Sequence, residues 1–166
     1  DLLRVSAPMA AEDDLLRVHP AAHMAALRRA LPETGHKALD ADTWLSPGSL
    51  AAAYRGAGAV VRAVDMVLGG EAANAFSAEA ETPMGFCLFG NVAVGVKHAL
   101  DHHGLNRVAI VDFDVHHGNG TQALLQDDPR VLFISSHQMP LWPGTGDPSD
   151  TGEHDNVVNI AFPAGN

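Results

Sequence analysis

The sequence is short of cysteine. Cys87 is the only one in 166 residues, so no disulfide can form within the chain, and a reducing compartment, the cytoplasm, is the default. Long apolar runs are missing as well. None approaches the roughly 20 residues that a membrane span needs. Basic residues are scarce: 10 Lys and Arg stand against 20 Asp and Glu, a net charge of −10. That balance argues against a nucleic-acid partner. Charged residues make up 18% and hydrophobic ones 46%, a composition of globular rather than disordered chains. The first residues, Asp1-Leu2-Leu3-Arg4, form no signal peptide, and no initiating Met precedes them. The chain stops just after an expected strand over 157–162, so it is expected to be a fragment of a larger domain.

What is present concentrates in residues 107–121, Arg-Val-Ala-Ile-Val-Asp-Phe-Asp-Val-His-His-Gly-Asn-Gly-Thr. An apolar, β-branched run over 108–111 reads as a buried strand. Asp112, Asp114 and His116 then fall at alternate positions, which in an extended chain point to one side. Two carboxylates and an imidazole at a strand end suit a hard or borderline cation. Charged groups are rarely buried unless paired or metal-bound, so a loop edge of simple caps is the weaker reading. In open α/β sheets, ligands bind at the carboxyl ends of strands.

Around this stretch the chain reads as alternating helices and strands. Residues 1–6 are a short extended candidate. Residues 9–18 read as a helix, with Glu12, Asp13 and Asp14 near its start, where the helix dipole favours negative charge. Pro20 suits the first position of a second helix over 20–31, carrying Met24, Leu27 and Leu31 at helical spacing. His19 and His23 have no partner motif and read as surface or packing residues. Residues 32–48 read as loop. A third helix, capped by Ser46 or Ser49, runs to Leu68 and stops at Gly69-Gly70. Its alanines, glycines and apolar stripe predict tight packing against a sheet. Further helices are expected over 91–103 and 118–126, and strands over 73–78, 131–135 and 157–162. His102-His103 sits in a last turn before Gly104, where imidazoles complement the helix dipole. Strands separated by helices imply a three-layer α/β/α fold with a mainly parallel sheet.

Three more segments bear on function: Met84-Gly85-Phe86-Cys87-Leu88-Phe89-Gly90-Asn91, Phe133-Ile134-Ser135-Ser136-His137-Gln138 and Pro143-Gly144-Thr145-Gly146. With the Asp-x-Asp-x-His-His stretch, and in this order, they resemble the histone deacetylase family of zinc amidohydrolases, which includes acetylpolyamine deacetylases and acetoin-utilisation proteins. The wording is closest to the bacterial and class II branch and is specific from about residue 84 onward. The resemblance implies an arginase-like α/β fold, with residues 1–166 as the N-terminal and central part of a single domain. It implies hydrolysis of an acetyl amide on lysine or a polyamine, with release of acetate. The acidic composition suits such basic substrates.

The resemblance also implies roles. Asp114 and His116 are two zinc ligands. Asp112, Asp114 and the Ser135 hydroxyl, with backbone carbonyls, hold a potassium ion. Asp112 orients one catalytic histidine. Asn119 stands where other members have an aspartate that orients the second; its amide can hydrogen-bond but brings no charge. His117 and His137 support the site from behind. Phe86 and Trp142 form the two walls of a substrate tunnel, Trp142 replacing the usual Phe or Tyr. Asp42, in a loop that composition alone reads as a solvated acidic turn, accepts hydrogen bonds from the substrate backbone.

The chain departs from the family in one place. A segment such as Arg-Pro-Pro-Gly-His-His-Ala, carrying the catalytic histidine pair, should follow the strand over 73–78. Here Ala78 runs straight into Glu79-Ala80-Glu81-Thr82-Pro83. A break is expected at Ala78–Glu79, with Cα atoms farther apart than the ~3.8 Å of a trans peptide. The family's third zinc ligand and its oxyanion-stabilising tyrosine lie downstream of residue 166, and Tyr54, the only tyrosine, is on the wrong helix. Residues 1–166 alone are therefore expected to be inactive. Two alternatives stand beside this reading. One is a non-catalytic relative, a metal- or acyl-binding scaffold. The other is a ureohydrolase-like enzyme with two manganese ions, against which the Gly-Phe-Cys-Leu-Phe and Pro-Gly-Thr-Gly segments argue.

Overall fold

The computed structural model describes residues 3–39, 43–75 and 88–165. It divides into two compact units, Asp1–His98 and Ala99–Asn166. Asp42, Phe86 and the Ala78–Glu79 junction lie outside the described residues.

In the first unit, α1 (Glu12–Leu16), α2 (Ala21–Ala30), α3 (Ser49–Leu68) and the first turns of α4 (Asn91–Asp101) are the helices. Leu15, Met24, Leu27, Leu45, Ala57, Leu88, Phe89 and Val94 form the buried core. Met24 and Leu27 reach it together because positions i and i+3 share a helix face. α3 was expected against a sheet. Within this unit, a Cβ at Gly58 of α3 would run into the backbone of Pro8 to Ala10, and one at Gly95 of α4 into Val60 of α3. The Ala10 N–H donates to the Tyr54 carbonyl at 2.9 Å, fixing that approach.

Element ends differ from expectation for local reasons. Gly48, not a serine, is the N-cap of α3, with no side-chain bond. The Ser49 hydroxyl instead accepts the Ser46 N–H at 2.9 Å and lies 3.1 Å from the Ser46 hydroxyl. Pro20 is the extended N-cap of α2 rather than its first helical residue. Residues 3–6 and 73–75 are irregular, not strand. The expected loop over 32–48 holds β1 (Lys37–Ala38) and β2 (Trp44–Leu45), an antiparallel pair. Two-residue strands are too short to leave a periodic signal.

His19 and His23 are packing residues with a backbone task. Their rings stack at 4.9 Å beside Phe89. His19 Nε2 accepts the Gly90 N–H at 3.0 Å, and His23 Nε2–H donates to the Leu88 carbonyl at 3.0 Å. Burial, and then the neighbouring His23, pushes His19 down to about 4 from an ordinary 6.5. Its neutral form therefore belongs to the folded chain. Above pH 6.5 the histidine is neutral folded or unfolded, and its contribution is complete. Between 6.5 and about 4 the unfolded chain binds the proton more readily, so stability falls as pH falls; below about 4 the loss levels off. Thermal unfolding from pH 8 to 4 should show this decline in the wild type and a shallower one in His19→Gln. Equal slopes would remove His19 from the account.

In the second unit, β3 (Val108–Asp112), β4 (Val131–Gln138) and β5 (Val157–Phe162) form a parallel sheet in that order. α5 (Asn119–Leu125) follows β3 and precedes β4, as a parallel crossover requires. The register pairs Asp112 with Ser135 and Ser135 with Asn159. Alternation puts Val131, Phe133, Ser135 and His137 on one face, all buried. β3 was expected to be buried throughout. Val111 on β3, Leu132 on β4 and Val158 and Ile160 on β5 are exposed, so among the described residues the sheet is covered on one face only. No helix among them is long and apolar enough to cross a membrane.

Candidate metal centre

The end of β3 builds its site by local hydrogen bonds. The Asp112 carboxylate accepts the Asp114 N–H at 3.1 Å. The Asp114 carboxylate accepts the His116 N–H at 2.7 Å. This repeat of carboxylate to backbone N–H two residues on is the Asx-turn habit of aspartate. It folds the expected extended run back on itself and brings Asp114 Oδ1 and His116 Nδ1 to 3.1 Å. Ligands at about 2.0–2.2 Å on a tetrahedral zinc stand about 3.3 Å apart, so this donor pair fits one ion. Both side chains are open to solvent, 65% for Asp114 and 45% for His116. The Trp142 ring meets His116 edge-on, with centroids 5.9 Å apart and planes at 75°.

Asp112 sits one layer deeper. A Cβ at Gly118 would overlap its carboxylate, so glycine is required for the turn to close over it. Asn119, exposed, opens α5, and its N–H donates to the His117 carbonyl at 2.8 Å. On β4, the Ser135 hydroxyl and His137 Nδ1 are 3.0 Å apart, and His137 Nε2 is 3.0 Å from the Gly146 carbonyl. The structure thus brings Asp114, His116 and Trp142 together, with Asp112, Ser135, His117 and His137 behind them on one sheet end.

His117 is buried and anchors a network that the sequence did not announce. Its Nδ1 lies 2.8 Å from the Thr145 hydroxyl and its Nε2 2.9 Å from Gln122 Oε1. Gln122 Nε2 donates to Asp150 at 2.7 Å, and Gln122 Oε1 accepts Asn159 Nδ2–H at 3.2 Å. Because that amide oxygen only accepts, His117 carries its proton on Nε2, and Nδ1 takes the Thr145 hydroxyl proton. Burial holds His117 below the ordinary histidine range, against the opposing pull of the Gln122 hydrogen bond. Asp150 is exposed yet tied to this network. A glutamine inside a helix reads as a surface residue, so only the fold reveals Gln122. Gln122→Leu leaves His117 Nε2 without its acceptor and Asp150 Oδ2 without its donor, and removes one of the bonds of the Asn159 amide. It should destabilise the protein by about 2–3 kcal/mol, the scale of a buried polar group left unpaired. Chemical denaturation measures it, and a change below about 0.5 kcal/mol, the range of ordinary surface substitutions, would show that the network is dispensable.

The family model described as Histone deacetylase domain matches residues 1–166, and the chain belongs to the histone deacetylase family. It is 45% identical over 157 residues to a histone deacetylase-like amidohydrolase of Pseudomonas aeruginosa, covering 89% of this chain and 41% of that one. It is 34% identical over 174 residues to Histone deacetylase 14, chloroplastic, of Arabidopsis thaliana, covering 92% and 41%. Among solved structures, an HDA15 HD domain superposes with a TM-score of 0.87 at 30% identity, covering 95% of this chain and 48% of that one. The fold is therefore the α/β fold of deacetylase domains. The chain spans about half the length of the curated relatives that it matches.

Proposed function

We propose that the protein is a zinc-dependent deacetylase that hydrolyses an acetyl amide on lysine or a polyamine and releases acetate. The observation that carries this reading is the 3.1 Å approach of Asp114 Oδ1 and His116 Nδ1, a spacing that suits two ligands of one zinc. These two residues would hold the ion. When bound, zinc supplies Lewis-acid polarisation and a bound water of lowered pKa. The chain's own residues do the rest. Asp112 braces the ligand turn through the Asp114 N–H. Ser135, with Asp112 and Asp114, offers oxygen atoms to a potassium ion; the fully buried Ser135 hydroxyl supports this assignment. Trp142 stands against His116 and would line the approach of an acyl-lysine or acyl-polyamine stem; Phe86 as the second wall and Asp42 as acceptor of the substrate backbone are proposed on the family resemblance alone. Asn119 would orient a histidine without adding charge. The two units are proposed to be parts of one deacetylase domain, since the family match runs through both. The single cysteine favours a cytoplasmic setting.

The test is metal content together with turnover. The proposed full-length protein that contains residues 1–166 is purified, analysed for bound metal, then assayed with an acetyl-lysine peptide and an acetylated polyamine; residues 1–166 alone are expected to show no turnover. Zinc in equal amount to protein, with acetate released from either substrate, is the expected result. Zinc without turnover favours a binding scaffold. Two manganese ions per chain favour a ureohydrolase and overturn the reading.

A further inference from the structure

The Ser135 hydroxyl is fully buried, and its side-chain partner among the described residues is His137 Nδ1 at 3.0 Å. The direction of that bond follows from the other side of the ring. His137 Nε2 lies 3.0 Å from the Gly146 carbonyl, and a carbonyl oxygen only accepts, so Nε2 carries a proton. In the neutral ring Nδ1 is then an acceptor. The Ser135 proton points at His137, and both oxygen lone pairs point away from it. Buried polar atoms are rarely left unsatisfied. A hydroxyl with its proton tied back offers lone pairs alone, which is what a cation needs of it.

The neighbour matters as much. Asp112 is the register partner of Ser135 across the parallel pair, and paired residues share a sheet face. A free hydroxyl rotor beside a carboxylate donates to it, because charge-assisted hydrogen bonds are the stronger ones. That orientation would spend a carboxylate lone pair and aim a proton into the space between the two groups. His137 prevents it by taking the serine proton on the opposite side. The ring is itself held, with the His117 ring centroid 4.8 Å away. At Gly146 a Cβ would stand 2.5 Å from His137 Nε2, so no side chain can intrude there.

We infer that His137 is a positioning residue that fixes the Ser135 hydroxyl as a lone-pair donor toward a potassium ion at the end of β3 and β4. The inference rests on the potassium assignment made above and adds what sets the direction of its neutral ligand. Two substitutions separate this role from mere support. His137→Gln places an amide near the position of Nε2, so it can keep the bond to Gly146 but offers Ser135 no acceptor. His137→Asn places an amide oxygen near the position of Nδ1, so it keeps the acceptor and loses the bond to Gly146.

The experiment titrates KCl into purified zinc-loaded protein in tetramethylammonium buffer and follows the unfolding temperature and tryptophan fluorescence. Metal analysis confirms that zinc content is unchanged in each variant. The wild type should show a saturable response. His137→Gln should weaken potassium by roughly 10- to 100-fold, the range for loss of a residue that orients a metal ligand, while His137→Asn stays close to wild type. Ser135→Ala should weaken it similarly, and adding His137→Gln to Ser135→Ala should change nothing further, since the two act through one bond. If His137→Gln and His137→Asn weaken potassium equally, or in the reverse order, His137 does not orient the serine. If the wild type shows no saturable response, the potassium assignment fails, and the inference with it.

Discussion

Asp114→Ala is expected to strip the protein of bound zinc and to lower deacetylation by on the order of 10³-fold or more. Two effects combine. One of the two ligands at the end of β3 disappears, and the His116 N–H loses the carboxylate that holds it. His116 is then free to turn away, so the second ligand is lost as a positioned group. A Lewis acid supplies several kcal/mol of transition-state stabilisation, and each ~1.4 kcal/mol is tenfold in rate. Asp114→Asn is the informative companion. Its amide oxygen can still accept the His116 N–H, so the turn survives while the ligand charge is gone. Zinc content should fall in both variants, with the secondary structure of Asp114→Asn preserved by circular dichroism. Full zinc occupancy and turnover within tenfold of wild type in Asp114→Ala would place the metal elsewhere.

The largest stability effect is expected at Gly146. Its φ of +88° is one that side chains rarely adopt, and a Cβ there would stand 2.5 Å from His137 Nε2 and 2.7 Å from His117 Cδ2. Neither ring can give way, because each is hydrogen-bonded on both nitrogens. Gly146→Ala therefore combines left-handed strain of about 1–2 kcal/mol with overpacking of about 1–3 kcal/mol. Together they should lower the unfolding temperature by roughly 5–15 °C in a chain of this size. Gly144, with φ of +78° and nothing near its absent Cβ, is the control. Gly144→Ala should carry the strain without the overlap and fall by about half as much. Equal losses at the two glycines would mean that backbone strain, not the histidine rings, sets the cost.

Much of the fold was legible because it rests on short-range rules. β5 was read at its full extent, and α3 at its Gly69 stop, from apolar pattern and a helix-stopping glycine pair. The run from Arg107 to Thr121 suggested a cation site through residue type and spacing, and with three ordered segments it named a family. Asp42, Phe86 and the Ala78–Glu79 junction were readable only by resemblance and lie outside the described residues.

Other features needed tertiary structure, and the reason is the same each time. Alternation says which residues share a face, but not whether anything covers it; β3 read as buried, and among the described residues its Val111 is exposed. Extended spacing put Asp114 and His116 on one side of a strand. In fact two Asx-turn bonds curl the chain past Asp112 and set their 3.1 Å approach. Gln122, Thr145 and Asn159 are far apart in sequence from one another, and each is unremarkable alone. They become one network because parallel strand register and the α5 crossover bring them to His117. Residue types and their local spacing determine which chemistry the chain can carry. The direction of a hydrogen bond, such as that from Ser135 to His137, depends on a carbonyl from a distant loop, and only the folded chain supplies it.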